Sequence, residues 1–389
     1  MSGDGVEELF ERGVELIGEG RLEEALECFE GVLRIDPGHV NALLRLASVL
    51  FLLGRGDEAL EALDRVVEID EGNEEARLMR VFMLSELQRW GELEEFVSGL
   101  VESNPEDAEA YLFKGVVLED LDRFEEAMEC YDRALELDPG LVRAWLGKGR
   151  LLRREGRNGE ALECFSEALR LDPEDTGAML EKSDVLAELR EWGEALELVE
   201  RVVSLEPDNA EAWFMKGDYL RRVGRLEEAL DSLKEALALD PNDWEAWVAR
   251  GEVEMDLKMY VGALGSFGRA LELSPGEAVW RIRKDMALSL YMMFWEEGDS
   301  GLLERALEEF DRALEVDPED YEIWIYKGRI FMLLGRFEET VECFGRALEV
   351  NREEALRIFR GMPAMLDNLR VRGLKLPPEL ERLREETEE

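Results

Sequence analysis

Residues 108–141 read AEAYLFKGVVLEDLDRFEEAMECYDRALELDPGL, and this stretch decides the fold. It contains two runs of apolar residues at the three- and four-residue spacing of an amphipathic helix. The first face comprises Ala110, Tyr111, Lys114, Gly115 and Leu118, and the second comprises Phe124, Ala127, Met128, Tyr131, Ala134 and Leu135. The stretch therefore predicts two amphipathic helices that are followed by a proline.

The same pattern recurs along the chain at a period of 34 residues. Six prolines mark this period: Pro105, Pro139, Pro173, Pro207, Pro241 and Pro275. Pro318 comes 43 residues after Pro275, so one unit carries a nine-residue insertion. A period of this length indicates a repeat array, in which each unit packs only on its neighbours.

Aligning the units on the proline gives ten repeats, and the positions below are counted from the start of each. The starts are Val6, Val40, Glu74, Ala108, Val142, Thr176, Ala210, Trp244, Ala278 and Tyr321. Position 4 is often a large ring, position 8 a glycine, position 20 an alanine and position 24 an aromatic residue. The third repeat departs from the pattern, with Arg77, Val81 and Leu93 at the ring, glycine and alanine positions.

This pattern of W-x-x-x-G, A-x-x-x-F and a late proline resembles the tetratricopeptide repeat (TPR) family over about 350 of the 389 residues. The resemblance implies an all-α fold, a right-handed superhelical solenoid of about ten helical hairpins, with a concave groove lined mainly by the first helix of each hairpin. We expect the array to span 1–354, with the insertion in the ninth repeat. We expect C-terminal capping helices over 355–377 and an acidic tail over 378–389.

Acidic residues give the chain a formal net charge of -46. Many of them stand where they favour helices. Candidate N-caps of the first helices are Asn73, Asp107, Asp175, Asn209, Asp243 and Asp320. So much negative charge disfavours nucleic acid and anionic membranes as partners. Residues 1–5 lack a signal-peptide pattern, and the longest apolar stretch, 46–53, is too short to span a bilayer, so we expect a cytoplasmic protein.

Few residues in the sequence suggest catalysis or metal binding. Cys28, Cys130, Cys164 and Cys343 all fall at position 23 of their repeats, which indicates packing rather than a zinc site. His39 is the only histidine, and it lies in an inter-repeat loop. We therefore expect no metal, no cofactor and no enzymatic activity. The family's carboxylate clamp, formed by Lys and Asn at positions 5 and 9, is absent as well.

Arginines occupy groove positions of the fifth and seventh repeats. They are Arg150, Arg153, Arg154, Arg221 and Arg222, and acidic residues hold the equivalent positions of neighbouring repeats. Two interpretations remain open. The arginines form a ladder of ion pairs between repeats, or they receive acidic side chains of a partner. A column of basic residues at position 7, from Lys114 to Lys327, indicates a structural role between repeats.

Groove positions of the first three repeats are apolar instead. The candidate contact residues are Phe10, Val14, Ile17, Leu44, Phe51 and Phe82. If this face is open to water, it would suit the apolar side of an amphipathic helix. The rival interpretation is that these divergent repeats curl so that the side chains cover one another.

We therefore predict a non-catalytic scaffold that binds a peptide or protein partner in the concave groove. The alternatives are a self-assembling module, which would form homo-oligomers, or a regulatory subunit of a separate enzyme. The apolar run Tyr291 to Trp295 in the insertion either extends the core of the ninth repeat or forms an exposed docking knob.

Overall fold

The computed structural model describes residues 4–70 and 72–388, and within these ranges every regular element is a helix. The first helices of the ten hairpins are α1 Asp4–Gly18, α3 Val40–Leu52, α5 Glu74–Glu86, α7 Ala108–Asp120, α9 Val142–Arg154, α11 Thr176–Glu188, α13 Ala210–Arg222, α15 Trp244–Asp256, α17 Val279–Glu297 and α19 Tyr321–Leu333. The second helices are α2 Leu22–Ile35, α4 Gly56–Ile69, α6 Trp90–Ser103, α8 Phe124–Leu137, α10 Asn158–Leu171, α12 Trp192–Leu205, α14 Leu226–Leu239, α16 Tyr260–Leu273, α18 Ser300–Leu314 and α20 Phe337–Val350. The predicted all-α array of hairpins is confirmed.

The chain forms two units. The N-terminal unit extends to Asp175 and contains the first five hairpins, and the C-terminal unit begins at Thr176 and contains the other five. A short 3₁₀ helix, Gly276–Ala278, precedes α17. The prediction that residues 1–5 are not part of a signal peptide includes residues 1–3, which lie outside the described residues.

Side-chain caps fix where several first helices begin. Asn73, Asp107, Asn209, Asp243 and Asp320 each accept a hydrogen bond from a backbone N–H in the first turn. Such caps satisfy donors that a helix start would otherwise leave unpaired. As a result, the helices that follow them begin at the residues given as repeat starts by the sequence alignment.

Hairpins with glycine at position 8 of the first helix are closed by a contact between that glycine and position 24 of the second helix. A Cβ atom on Gly149 would lie 2.6 Å from Cε1 of Phe165, and one on Gly251 would lie 2.6 Å from Cε1 of Phe267. Both rings are fully buried. The glycine is therefore required because the ring packs directly against the backbone of the first helix.

The tryptophan at position 4 joins the hairpin to the preceding loop. Trp145 Nε1 donates to the carbonyl oxygen of Pro139 at 3.0 Å, and the same bond occurs at Trp213, Trp247 and Trp324. The basic residue at position 7 lies over this ring, as Lys216 does at 5.2 Å from the Trp213 ring centre. Lys148 and Lys327 also pair with Asp132 and Asp311 of the preceding repeats. The column at position 7 thus links neighbouring repeats.

The third hairpin, α5 and α6, is packed more loosely than the others. It buries only five side chains completely, namely Ala76, Met83, Leu84, Leu93 and Val97. Arg77 replaces the ring of position 4, and its Nη2 donates to the carbonyl oxygen of Gly72 at 3.1 Å. The guanidinium thus also donates to the preceding loop, but to the carbonyl five residues before it, whereas the indole donates to the carbonyl six residues before it.

The insertion lengthens α17 to 19 residues and gives its apolar run two roles. Tyr291 and Met293 are buried in the core of the ninth hairpin, whereas Met292 and Trp295 are exposed, with 60% of Trp295 accessible. The run Tyr291 to Trp295 is therefore divided between core and surface. Neither of the two predicted alternatives describes it completely.

Three further helices close the apolar end of the tenth hairpin: α21 Arg352–Phe359, α22 Pro363–Val371 and α23 Pro378–Glu388. The Phe359 ring packs on Phe344 with 4.8 Å between centroids. Leu380 and Leu383 of α23 are also buried. The segment 378–389, which we expect to be an acidic tail, thus begins with a helix whose leucines face the capping core, and the predicted domain bounds stay a prediction.

We predict that Gly251→Ala lowers the free energy of unfolding by about 1–2 kcal/mol, since the methyl group would overlap the Phe267 ring. Gly265→Ala in α16 is the control, because a Cβ there meets nothing within 4 Å. It should raise stability by up to about 1 kcal/mol through helix propensity. Urea unfolding followed by circular dichroism measures both changes. Equal effects of the two substitutions would contradict the proposed packing constraint.

Candidate partner-binding surface

The apolar groove residues of the first three repeats lie on first helices α1, α3 and α5, but they differ in exposure. Phe82 is 56% exposed and Val14 is 44% exposed. Leu44, in contrast, is only 2% exposed, so its predicted place on an open surface is wrong. Position 5 of the second repeat faces the core that α3 shares with its neighbouring helices.

Phe10, Ile17 and Phe51 are half-buried. Phe10 packs against Phe29 at 5.8 Å and against His39 at 5.3 Å between ring centroids. The Phe10 ring is thus partly covered within its own pair of repeats. The rival interpretation of mutual covering holds for these residues but not for Phe82 and Val14.

Phe51 and Phe82 form an edge-to-face ring pair, with 5.8 Å between centroids, that joins the second and third repeats. Aromatic pairs of this geometry stabilise beyond their buried area. Phe82 keeps more than half of its surface open while it makes this contact. Leu52, the residue after Phe51, is also exposed and was not among the predicted residues. Leu52 could have been predicted from the sequence, because it occupies position 13 of its repeat, the groove position that Arg154 and Arg222 occupy in theirs.

Among the groove arginines, Arg150, Arg154 and Arg221 form ion pairs between neighbouring repeats. Arg150 Nε lies 3.3 Å from Glu119 Oε1, and Arg221 lies 2.6 Å from Glu252 and 2.9 Å from Asp256. These pairs favour the ladder interpretation, most clearly for Arg150 and Arg221, whose pairs are shorter than that of Arg154.

Two of the arginines also contact aromatic rings. Arg154, whose Nη2 lies 4.0 Å from Asp122 Oδ1, lies over the Phe124 ring at 3.8 Å, and Arg222 lies over the Trp192 ring at 5.7 Å. Both are exposed, whereas Arg153 is half-buried. The five arginines are thus divided between the two units.

Asp285 is a notable residue that sequence reasoning missed. It occupies position 8 of the ninth repeat, where other repeats have glycine, and this departure was the available signal. Its Oδ2 atom is buried and has no hydrogen-bond partner within residues 4–70 and 72–388. Burial, and then the negative charge of Glu252, raise the pKa of Asp285 to about 7, while Arg281 and Lys284 oppose the shift.

The cysteines contribute to packing. Cys130, Cys164 and Cys343 are buried, and burial raises the pKa of Cys164 and of Cys343 to about 11. A thiol with such a pKa is a poor nucleophile at neutral pH. No group of three His, Cys, Asp or Glu side chains among the described residues is arranged to hold a metal ion. Within the same residues, no helix has the length and apolar character needed to cross a membrane.

We predict that Asp285→Asn increases stability most at neutral and alkaline pH. The folded-state pKa lies above the ordinary value of 3.8, so the folded protein holds the proton more tightly, and stability is lost as pH rises from about 4 to about 7. The gain from the substitution should therefore grow over this range and then level off. Thermal unfolding at several pH values measures it. The exposed Asp231→Asn serves as the control, and a parallel pH profile for both variants would contradict the assignment.

Arg221→Met should lower the free energy of unfolding by about 2 kcal/mol, because it removes hydrogen bonds to two carboxylates in a half-buried position. The adjacent Arg222→Met is the matched control. Arg222 is exposed and pairs only loosely with Asp218 at 3.5 Å, so its loss should cost less than about 1 kcal/mol. Denaturant unfolding of the two variants distinguishes a structural ladder from a free binding surface, since equal small losses would exclude the ladder.

Comparison with known proteins places these features in a family. Models described as "Tetratricopeptide repeat" match residues 16–80, 108–141 and, for a single model in overlapping segments, 129–278 and 291–356. That single model covers more than half of the chain. The uncharacterized protein MJ0572 of Methanocaldococcus jannaschii is 42% identical over 57 residues, which are 15% of this chain and 66% of that protein.

A chain of the solved APC/C hetero-tetramer Cut9-Hcn1 has the same fold. It is 20% identical with a TM-score of 0.52, and the match covers 79% of this chain and 59% of that chain. Yeast Tom70 is 16% identical with a TM-score of 0.44, and the match covers 93% of this chain and 88% of that chain. The chain belongs to the tetratricopeptide repeat family, and its repeats and fold support a role as a protein–protein interaction scaffold.

Proposed function

We propose that this protein is a non-catalytic scaffold that binds an amphipathic helix of a protein partner along the first-helix face of its N-terminal unit. The observation that carries the proposal is Phe82, which is largely exposed although its ring packs edge-to-face against Phe51 of the preceding repeat. An exposed aromatic side chain that is held in place by a neighbour loses little conformational freedom when a partner covers it.

The shape of the apolar residues suits a helix. They lie on three successive first helices, at Val14, Phe51, Leu52 and Phe82, and are separated by polar groove positions such as Ser48. An amphipathic helix contacts a groove through side chains spaced by one turn and leaves its other face in water. The partner would therefore present a few large apolar side chains rather than an extended polar strand.

Charge indicates the polar face of the partner. The chain carries 93 acidic residues against 47 basic ones, so its field attracts a basic segment and repels an acidic one. The ion pairs of Arg150 and Arg221 also leave these arginines less available to an acidic partner. A basic amphipathic helix suits this protein better than nucleic acid or an anionic membrane.

Site-specific photocrosslinking tests the surface. We replace Phe82 with p-benzoylphenylalanine, irradiate the protein in native lysate and identify the products by mass spectrometry. Val261, which is 72% exposed on α16, is the matched control position. Products formed only from position 82 with another protein would support the proposal. Products that join two copies of this chain would favour the self-assembling alternative, and equal products from both positions would contradict a specific surface.

Phe82→Asp should abolish capture of the same partner while the free energy of unfolding changes by less than about 1 kcal/mol, because the ring is mostly exposed. Val261→Asp adds the same charge elsewhere and should leave capture unchanged. Pull-down with quantification of the cross-linked partner measures the effect. Retained capture by a folded Phe82→Asp variant would place the binding surface on another face.

A further inference from the structure

The last turns of α17 carry an exposed aromatic side chain that a buried ring holds in place. Trp295 is 60% exposed, and its ring packs edge-to-face on the buried Tyr291 with 6.2 Å between centroids. Met292, three residues before Trp295, is 41% exposed. Because residues three apart are neighbours on a helix surface, the two side chains form one apolar patch. A patch built around a fixed tryptophan ring is typical of protein interfaces.

A half-buried arginine of α19 lies beside this patch. The Arg329 guanidinium lies 5.6 Å from the ring centre of Tyr291 and 5.3 Å from that of Tyr326. Tyr291 contacts both Trp295 and Arg329, so it connects the tryptophan to the positive charge. Arg329 forms no ion pair with any residue that the structure describes.

The ninth repeat supplies no acidic partner for this arginine. Arg150 has the same position 9 in its repeat, and it pairs at 3.3 Å with Glu119, which stands at position 12 of the preceding repeat. For Arg329, position 12 of the preceding repeat is Ser289. The Ser289 side chain is buried and donates to the carbonyl oxygen of Asp285 at 2.8 Å. The ladder of ion pairs between first helices therefore does not include Arg329.

An acidic side chain lies on the other side of the patch. Glu296 follows Trp295 in α17, is exposed, and makes no ion pair within residues 4–70 and 72–388. Burial raises the pKa of Tyr260 at the start of α16, and the negative charge of Glu296 adds to this shift. Glu296 is thus close to α16, whereas Arg329 belongs to α19. The patch has a negative side and a positive side with apolar residues between them.

A molecule that covers this surface has to match both charges. A purely basic segment would leave Arg329 covered without a carboxylate, and a purely acidic one would leave Glu296 without a cation. Both arrangements are costly because they desolvate an unpaired charge. A second copy of this chain supplies both partners, since a two-fold axis along the patch brings the α16 side of one copy against the α19 side of the other. Charge complementarity therefore favours a second copy.

We propose that two copies of this chain associate through this surface as a symmetric dimer. Trp295 and Met292 of one copy pack against the same residues of the other. Arg329 of each copy pairs with Glu296 of the other copy. The net charge of -46 opposes association, but at about 0.15 M salt the Debye length is about 8 Å, so charges far from the contact are screened. A contact of so few side chains is smaller than a standard interface, so the dimer is weak.

Sedimentation velocity of the full chain at about 0.15 M salt, over concentrations from about 5 to about 300 μM, tests the dimer. The weight-average sedimentation coefficient should rise with concentration towards that of a dimer. Trp295→Asp should weaken the association by at least about tenfold. The control Val371→Asp adds the same charge at an 88% exposed position of α22 and should leave the association unchanged. A chain that stays monomeric at every concentration, or equal effects of the two substitutions, would overturn the proposal.

Two charge reversals test the symmetry of the contact. Arg329→Glu sets carboxylates against carboxylates, and Glu296→Arg sets guanidinium groups against guanidinium groups. Each variant alone should therefore dimerise at least about tenfold more weakly. In an equimolar mixture both contacts join opposite charges, so the mixed dimer should form within about threefold of the original affinity.

Damage to the fold of either variant would not restore association in the mixture. Circular dichroism and thermal unfolding show whether both variants are folded, and a mixture of folded variants that stays monomeric would overturn the pairing. The exposed Trp295 gives a second test that does not depend on the folding of Arg329→Glu.

The dimer contact and the proposed partner surface are tested separately. Trp295 belongs to the C-terminal unit and Phe82 to the N-terminal unit. Phe82→Asp should therefore dimerise as the unchanged chain does, and Trp295→Asp should still capture the partner at Phe82. Loss of dimerisation in a folded Phe82→Asp variant would assign the contact between copies to the Phe82 surface and would overturn this inference.

Discussion

The hairpins depend on the packing of a position 24 side chain against the backbone at position 8. Where position 24 is a ring in a repeat without an insertion, position 8 is glycine, as in Gly115 with Tyr131 and Gly328 with Phe344. In the repeats without an insertion where position 8 carries a side chain, position 24 is aliphatic, as in the pairs Ala47 with Leu63, Val81 with Val97 and Ser183 with Val199. The total volume of the pair is roughly conserved, which close packing of helices requires. Glycine is otherwise unfavourable within a helix, so its repeated use here has a packing reason.

Most of the fold could be predicted from the sequence because its determinants are local and repeated. The 34-residue period, the N-caps and the glycine-to-ring spacing each involve residues within one unit, so aligning the units reveals them. Exposure in the candidate surface was harder to predict. Leu44 and Phe82 are both apolar and both fall on groove positions, yet one is buried and the other is open. The difference in exposure between Leu44 and Phe82 depends on how closely the neighbouring helices pack, and the 34-residue period does not give those distances. The burial of Asp285 and of Leu380 could not be predicted for the same reason.

Electrostatics in this protein acts at two different ranges. Close to each helix, acidic side chains have specific partners: Asp107 caps α7, and Glu24 binds Arg21 at the start of α2. The basic residues at position 7 add cation–π contacts within their repeats, as in Lys327 over the Trp324 ring. Over longer distances the same acidic residues sum to a large negative charge, which screening by salt reduces beyond about 8–10 Å. Local pairing therefore supports the fold, while the remaining field affects which partners approach.

The loose packing of the third hairpin has a consequence for cooperativity. In a linear array each unit is stabilised by its own core and by the interface with its neighbours, so a weak unit divides the array into segments that open separately. The helices α1 to α4 precede this weak point, and the ring pair of Phe51 and Phe82 crosses it. A molecule that covers both rings would strengthen the link between the second and third hairpins. Its binding free energy would then add to the free energy of unfolding of the first two hairpins. Occupancy of that surface and resistance of the N-terminal segment to hydrogen exchange and proteolysis would then rise together.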